Sequence, residues 1–131
     1  MDQSYKWLKL AESYLGEEAK RCHFVHSKLE DYDPSGSEPF DVIWIQWTLQ
    51  YLIDEDVVHL LTRLRASLSP QGVLVLKENR PMHGSSDCFQ MDTPNKEGRF
   101  DITRPERHLA LLVELSGLSV LYSETLAAKE L

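Results

Sequence analysis

Phe40-Asp41-Val42-Ile43-Trp44-Ile45-Gln46-Trp47 is the stretch that decides how the rest of the chain is read. An acidic residue stands near its start, four apolar residues follow without alternation, and an amide and an indole close it. A short run apolar on both faces predicts a strand in a sheet covered on both sides, as in parallel α/β folds. Ligands of open α/β sheets bind beyond the carboxyl ends of strands. Gln46 and Trp47 stand at that end and are the first candidate site residues. Trp44, within the run, is expected to be core.

Working outward, Asp54 has the position of an N-cap for a helix over 55–68, with Val57, Val58, Leu61, Leu64 and Leu68 as its buried stripe. Ser69-Pro70-Gln71-Gly72 is expected to end that helix, and Val73-Leu74-Val75-Leu76 to form a second buried strand. Strand, helix and strand within about forty residues predict a parallel pair joined by a right-handed crossover. Upstream, Tyr5, Leu8, Ala11, Leu15 and Ala19 recur at helical spacing, so a helix is expected over 2–21 with Asp2 or Ser4 as its cap. Phe24 and Val25 suggest a short strand, and the segment 33–39 is rich in turn formers. From Glu78 to Thr103 periodicity disappears, and a loop of that length after a strand's carboxyl end is expected to act as a lid. A third helix, 105–116, has proline near its start and stops at Gly117, and 118–122 suggest a last strand.

The 131 residues suffice for one domain, and 42% hydrophobic with 27% charged residues are ordinary globular values. A formal charge of −7 with no basic stripe argues against nucleic acid as a partner. The acidity suits solubility first, and a cationic substrate or peptide second. Cys22 and Cys88 match no metal or redox spacing, and His23 and His26 gather no further ligand types around them. No metal is therefore expected, and reduced thiols point to an intracellular protein. No signal-peptide pattern is legible, and no apolar run approaches the ~20 residues of a spanning helix, so no membrane partner is expected.

With D-V-I-W-I-Q-W in the middle, A-E-S-Y-L-G-E-E-A-K-R before it and L-S-P-Q-G-V-L-V-L-K-E-N after it, the chain resembles the protein α-N-terminal methyltransferases from about Asp2 to Tyr122. The resemblance implies an α/β, Rossmann-like class I methyltransferase fold, a mostly parallel sheet with flanking helices, here in one partial domain over 1–131. It also implies S-adenosyl-L-methionine as cofactor and the exposed α-amine of proteins beginning Xaa-Pro-Lys as substrate. Cytoplasm and nucleus are the locations it suggests.

The same resemblance distributes roles among residues. Asp2 matches the acidic residue that holds the cofactor ribose, with Gln3 and Ser4 following it in the motif. Leu29 and Glu30 match the pair lining the adenine pocket, where the family more often has Gln at the second position. Gln46 matches the amide at the cofactor's methionine end, Trp47 the ring against the substrate's first residues, and Asn79 a side chain binding substrate backbone. Asp87, Asp92 and Asp101 are the lid carboxylates available to a substrate lysine. Tyr51 stands where many members have His as base or orienter. Tyrosine, with a reference pKa of about 10, orients better than it accepts protons near neutrality. The family's acidic D-S-S segment is replaced by 99–104, in which Asp101 and Arg104 carry the closest chemistry.

A glycine-rich turn after the first strand is also a family feature, and the six glycines here are scattered instead. By the family's sheet order, only the strands at 42–45 and 73–76 keep each other as neighbours, while those near Phe24 and Val120 stand apart. The chain is thus expected to be a truncated form or fragment. Two alternatives accompany methylation of protein N-termini: a non-catalytic remnant that binds or regulates an intact methyltransferase, and a methyltransferase acting on another amine.

Overall fold

A computed structural model describes residues 1–81, 90–91 and 100–126. Its centre is a two-stranded parallel sheet, β1 (Phe40–Gln46) beside β2 (Leu68–Lys77), joined by helix α2 (Asp54–Ala66). Parallel strands need such a crossover, and α2 is built for it. Asp54, Glu55 and Asp56 occupy its first turn and Arg63 and Arg65 its last, complementing the helix dipole at both ends. Val57, Leu60, Leu61 and Leu64 form its buried stripe. Leu60 thus joins the expected stripe, and Leu68 belongs to β2 instead.

The core is one cluster of Ile45, Leu49, Leu52, the four α2 residues, and Leu112 and Val113 of helix α3 (Glu106–Leu115). Ile43, Leu74 and Leu76 pack against it from the same sheet face. Truncating a fully buried leucine such as Leu60 or Leu61 in such a cluster costs about 2–5 kcal/mol. The opposite sheet face is bare: Val42 is 58% and Trp44 60% exposed. This corrects the expectation of a strand covered on both sides and of Trp44 as core. No helix of the described residues lies over that face with the contacts α2 makes on the other.

Register departs from the simple pattern at the start of β2. Phe40 pairs with Leu68, but Val42 pairs with Val73, so 69–72 form an excursion within the strand where a loop was expected. Ser69 Oγ donates to Asp41 Oδ1 at 2.7 Å, pinning the excursion to β1. Gly72 fits there because a Cβ would lie 2.6 Å from the Phe40 carbonyl oxygen.

Helix α1 (Tyr5–Leu15) passes into a 3-10 segment, Gly16–Arg21, so the expected helix is shorter than its apolar spacing suggested. Only Leu8 of α1 is buried. Phe24-Val25 do not form a strand; a single parallel bridge joins Asp2 to His26. Inside the expected lid, β3 (Gln90–Met91) pairs antiparallel with β4 (Ile102–Thr103). Helix α3 ends as expected at Gly117, whose φ of 79° accompanies Leu118 N–H donation to the Val113 carbonyl and Gly117 N–H donation to that of Glu114. That is the double bond pattern of a glycine-terminated helix. Residues 118–122 are not a strand.

Candidate functional site

The carboxyl ends of β1 and β2 meet at the pairing of Gln46 with Lys77. Beyond them the chain turns through Trp47 and Thr48 into a short 3-10 turn, Leu49–Tyr51, before α2 begins. Gln46 is half-buried, and its Oε1 accepts the Trp44 indole N–H at 3.0 Å. That bond turns the amide so that its NH2 remains a donor for a ligand acceptor. The Trp47 ring is substantially exposed, with the Lys77 ammonium 5.3 Å from the ring centroid. This distance is within the range of a cation–π contact.

One half-buried and one buried charged side chain hold the turn. Oε1 of Glu78 accepts the Thr48 and Leu49 backbone N–H groups at 3.1 Å each. Burial pushes the Glu78 carboxyl above the ordinary range, and those two N–H groups and the nearby Arg104 charge only partly offset it. On the other side, Arg104, with a side chain 4% exposed, donates to the Leu49 carbonyl at 3.0 Å and the Leu52 carbonyl at 2.6 Å. Its Nε donates to Asp54 Oδ1 at 2.8 Å, while Asp54 Oδ2 meets His108 Nε2 at 2.7 Å. Burial opposes ionisation of Asp54, but hydrogen bonds from Arg104 and His108 outweigh it and hold its carboxyl below the usual value. Asp54 is therefore no N-cap: Ile53 holds that position, and Asp54 serves as the link between α2 and α3.

Leu49, Gln50, Glu78, Asn79, Ile102, Thr103, Arg104 and Leu109 line a cleft at this end of the sheet. Asn79 is exposed at its rim, and its Nδ2 donates to the buried Gln50 Oε1 at 3.3 Å, which leaves the Asn79 carbonyl oxygen as an acceptor. Tyr51 is exposed on the same turn, and Asp101 is half-buried one residue before β4. Of the expected site residues Asn79 lines this cleft, while Gln46, Trp47, Tyr51 and Asp101 stand within three residues of lining positions in the chain. Asp87 and Asp92 lie outside the described residues.

The expected ribose and adenine residues lie elsewhere. Asp2 Oδ1 accepts the Ser4 N–H at 2.7 Å, the Asp2 N–H donates to the Val25 carbonyl, and the Gln3 carbonyl meets His26 Nε2 at 2.9 Å. Ser4, expected as an alternative cap, stands at the N-cap of α1 without a side-chain capping bond. Leu29 packs against the core, and the Glu30 carbonyl accepts Arg63 Nη2 at 2.8 Å, leaving its carboxylate exposed. Among the described residues no hydrogen bond joins 1–30 to β1 or β2; Leu29 and Glu30 are tied to the rest of the expected site through the core and through Arg63 of α2, while Asp2, Gln3 and Ser4 bond only among residues 2–27. The donor set still fits S-adenosylmethionine by chemistry: Asp2 Oδ2 is an available acceptor for a ribose hydroxyl, and the Gln46 NH2 a donor for a carboxylate.

Sequence reading missed Glu78, Arg104, Asp54 and His108 as a connected group. The available signals were a carboxylate directly after an apolar strand and an arginine directly before a helix-initiating proline. Among the described residues no cluster of His, Cys, Asp or Glu suits a metal ion, and no helix is long and apolar enough to cross a membrane.

Known proteins place this geometry. An N-terminal Xaa-Pro-Lys N-methyltransferase 1 of Danio rerio is 35% identical over 125 residues, covering 95% of this chain and 52% of its own length. The human N-terminal Xaa-Pro-Lys N-methyltransferase 1 is 36% identical over 100 residues, covering 70% of this chain and 44% of its own. The chain spans about half the length of these relatives. A SAM-dependent methyltransferase of Leishmania major superposes with a TM-score of 0.71 at 27% identity, over 92% of this chain and 46% of that one. The mitomycin 7-O-methyltransferase, at 22% identity and a TM-score of 0.67 over 92% of this chain and 36% of that one, shares the fold. The parallel pair with flanking helices is thus part of a Rossmann-like methyltransferase fold. Residues 1–128 match the sequence model of the AdoMet-dependent proline di-methyltransferases, and the chain belongs to that family.

Proposed function

We propose that this domain transfers methyl groups from S-adenosyl-L-methionine to the free α-amine of protein N-termini of the Xaa-Pro-Lys type. The observation that carries the reading is the β1–β2 end itself, where Gln46, Trp47 and Asn79 stand at a turn held by the half-buried Glu78 carboxyl. When bound, the cofactor supplies an electrophilic methyl group on a sulfonium. Asp2, Gln3 and Ser4 would hold its ribose side, Leu29 and Glu30 its adenine, and the Gln46 NH2 its methionine carboxylate. Trp47 gives the substrate's first residues an apolar platform, and the Asn79 carbonyl oxygen accepts from the incoming amine or backbone N–H.

An α-amine has a reference pKa of about 7.7–8.0, so alignment of a neutral amine matters more than a strong base. In this reading Tyr51 orients that amine, Asp101 accepts its proton, and Asp87 and Asp92 attract the substrate lysine. Mass spectrometry of an Xaa-Pro-Lys peptide incubated with the protein and S-adenosylmethionine tests it. Stepwise methyl increments at the N-terminus are expected; an unchanged peptide refutes it. Increments on free small-molecule amines but not on the peptide would favour a different amine substrate.

A second reading rests on the bare sheet face formed by Val42 and Trp44: the chain binds an intact methyltransferase without turnover of its own. Co-purification with a complete relative, together with no cofactor binding alone, would support it. Independent turnover excludes it.

A further inference from the structure

Among the described residues Trp47 is the only non-glycine residue with a left-handed backbone, at φ 54°. A bulky residue in that region persists only where its surroundings over-determine it. Here they do so from consecutive residues of one strand end. The Trp47 N–H donates to the Lys77 carbonyl at 2.9 Å, fixing the peptide plane before the ring. The next two amides, Thr48 and Leu49, converge on one oxygen of Glu78, fixing the planes after it. Arg104 holds the Leu49 and Leu52 carbonyls, so the turn cannot shift to follow a change at Glu78 without breaking bonds on its other side.

We propose that Glu78 is the positioning residue of the Trp47 ring: by gathering the two amides that follow it, the carboxylate keeps the strained backbone in place and so aims the indole at bound peptide. The inference rests on the reading of Trp47 as the substrate platform. Glu78 itself need touch neither substrate nor cofactor.

The test compares the parent chain with Glu78→Ala and Glu78→Gln. Amide exchange at Thr48 and Leu49, the Trp47 indole N–H shift, and affinities for an Xaa-Pro-Lys peptide and for S-adenosylmethionine are measured by NMR. Glu78→Ala is expected to speed exchange at both amides about tenfold or more, move the indole shift, and weaken peptide binding about tenfold, with cofactor affinity within about twofold. Glu78→Gln keeps an acceptor oxygen in the same place and is expected to restore the amides, the shift and the peptide affinity. Peptide affinity unchanged in Glu78→Ala while the amides loosen overturns the proposal, as does an unmoved indole shift. Should Glu78→Ala lose protection at Leu60 and Leu61 as well, it has unfolded, and Glu78→Gln decides: protected amides with lost peptide binding overturn the proposal. A parent chain that binds no peptide refutes the functional reading alone, because exchange and indole shift still report whether Glu78 aims Trp47.

Discussion

Two regions that the family resemblance assigns to one pocket are built in opposite ways. The turn from Trp47 to Asp54 is held through side chains that arrive from Glu78, just past the end of β2, and from the segment leading into α3. The segment from Met1 to Ser27 is held to itself, by backbone bonds between Asp2 and residues 25–27 and by one histidine. Long-range bonds that end on buried and half-buried charged groups tie a turn's stability to the core. Local bonds at a surface open with little consequence elsewhere. The peptide side of the proposed site is therefore rigid within this chain, and the ribose side is not coupled to it.

The sharpest way to break that contrast is Arg104→Ala. It strips donors from two carbonyls and a carboxylate, and breaking a buried ion pair of this kind costs about 3–5 kcal/mol. About 3 kcal/mol, the low end, is expected, because the Asp54 side chain is 43% exposed. A urea midpoint that does not fall would show that the turn owes nothing to Arg104.

Next comes pH, where the two carboxylates of the turn pull in opposite directions. The folded pKa of Asp54 is depressed, so its stabilisation is complete above the unfolded value of about 3.9 and is lost as pH falls through the folded one. That of Glu78 is raised, so folding favours its protonated form and stability declines as pH rises through the folded value. Urea midpoints should thus pass through a maximum in the acid range, and Glu78→Gln should remove the decline on its high-pH side. A decline that survives Glu78→Gln would assign it to another group.

A smaller effect is expected at the loose end. Asp2→Ala loses one local bond to the Ser4 N–H, worth about 1 kcal/mol as for helix-start side chains. Exchange at Thr48 and Leu49 should not respond to it, while S-adenosylmethionine affinity should fall. Faster exchange in the turn would mean that the two regions are coupled after all. The smallest effect belongs to Trp44→Phe. The ring is exposed and gives up only its bond to Gln46, so stability should stay within about 0.5 kcal/mol, as for ordinary surface changes. A calorimetric loss well beyond that would show that the bare face is covered in solution.

Local signals made much of the frame legible. The apolar runs of β1 and β2, the 3.6-residue stripe of α2, and the glycine after α3 each carry their own structural instruction. Phe24-Val25 and 118–122 have strand-like composition, but a strand exists only where a neighbour takes up its backbone groups along its length; beside Phe24-Val25 Asp2 makes a single bridge, and 118–122 pair with no described strand. Trp44 misled for a related reason: hydrophobicity states that a side chain gains by burial, not that something lies over it. At the site, Gln46 and Trp47 were legible because position at a strand end is a local property. Asp54 was read as a cap because its local setting is a cap's. Its partner Arg104 is fifty residues away, and nothing in either neighbourhood announces the other.

Gly72 acts at a distance from where it sits. With the Phe40 carbonyl in the space a side chain would need, it sets the phase of β2 against β1, five residues before the carboxyl end of β2. A slide of one residue turns every side chain of a strand to the other face. Lys77 and Glu78 would then trade places opposite Gln46, and the oxygen that gathers Thr48 and Leu49 would point away from them. A bulky residue at 72 would thus be felt as a defect in the Trp47 turn, visible as faster exchange at two amides it never touches. The smallest residue of the sheet keeps time for the turn beyond its end.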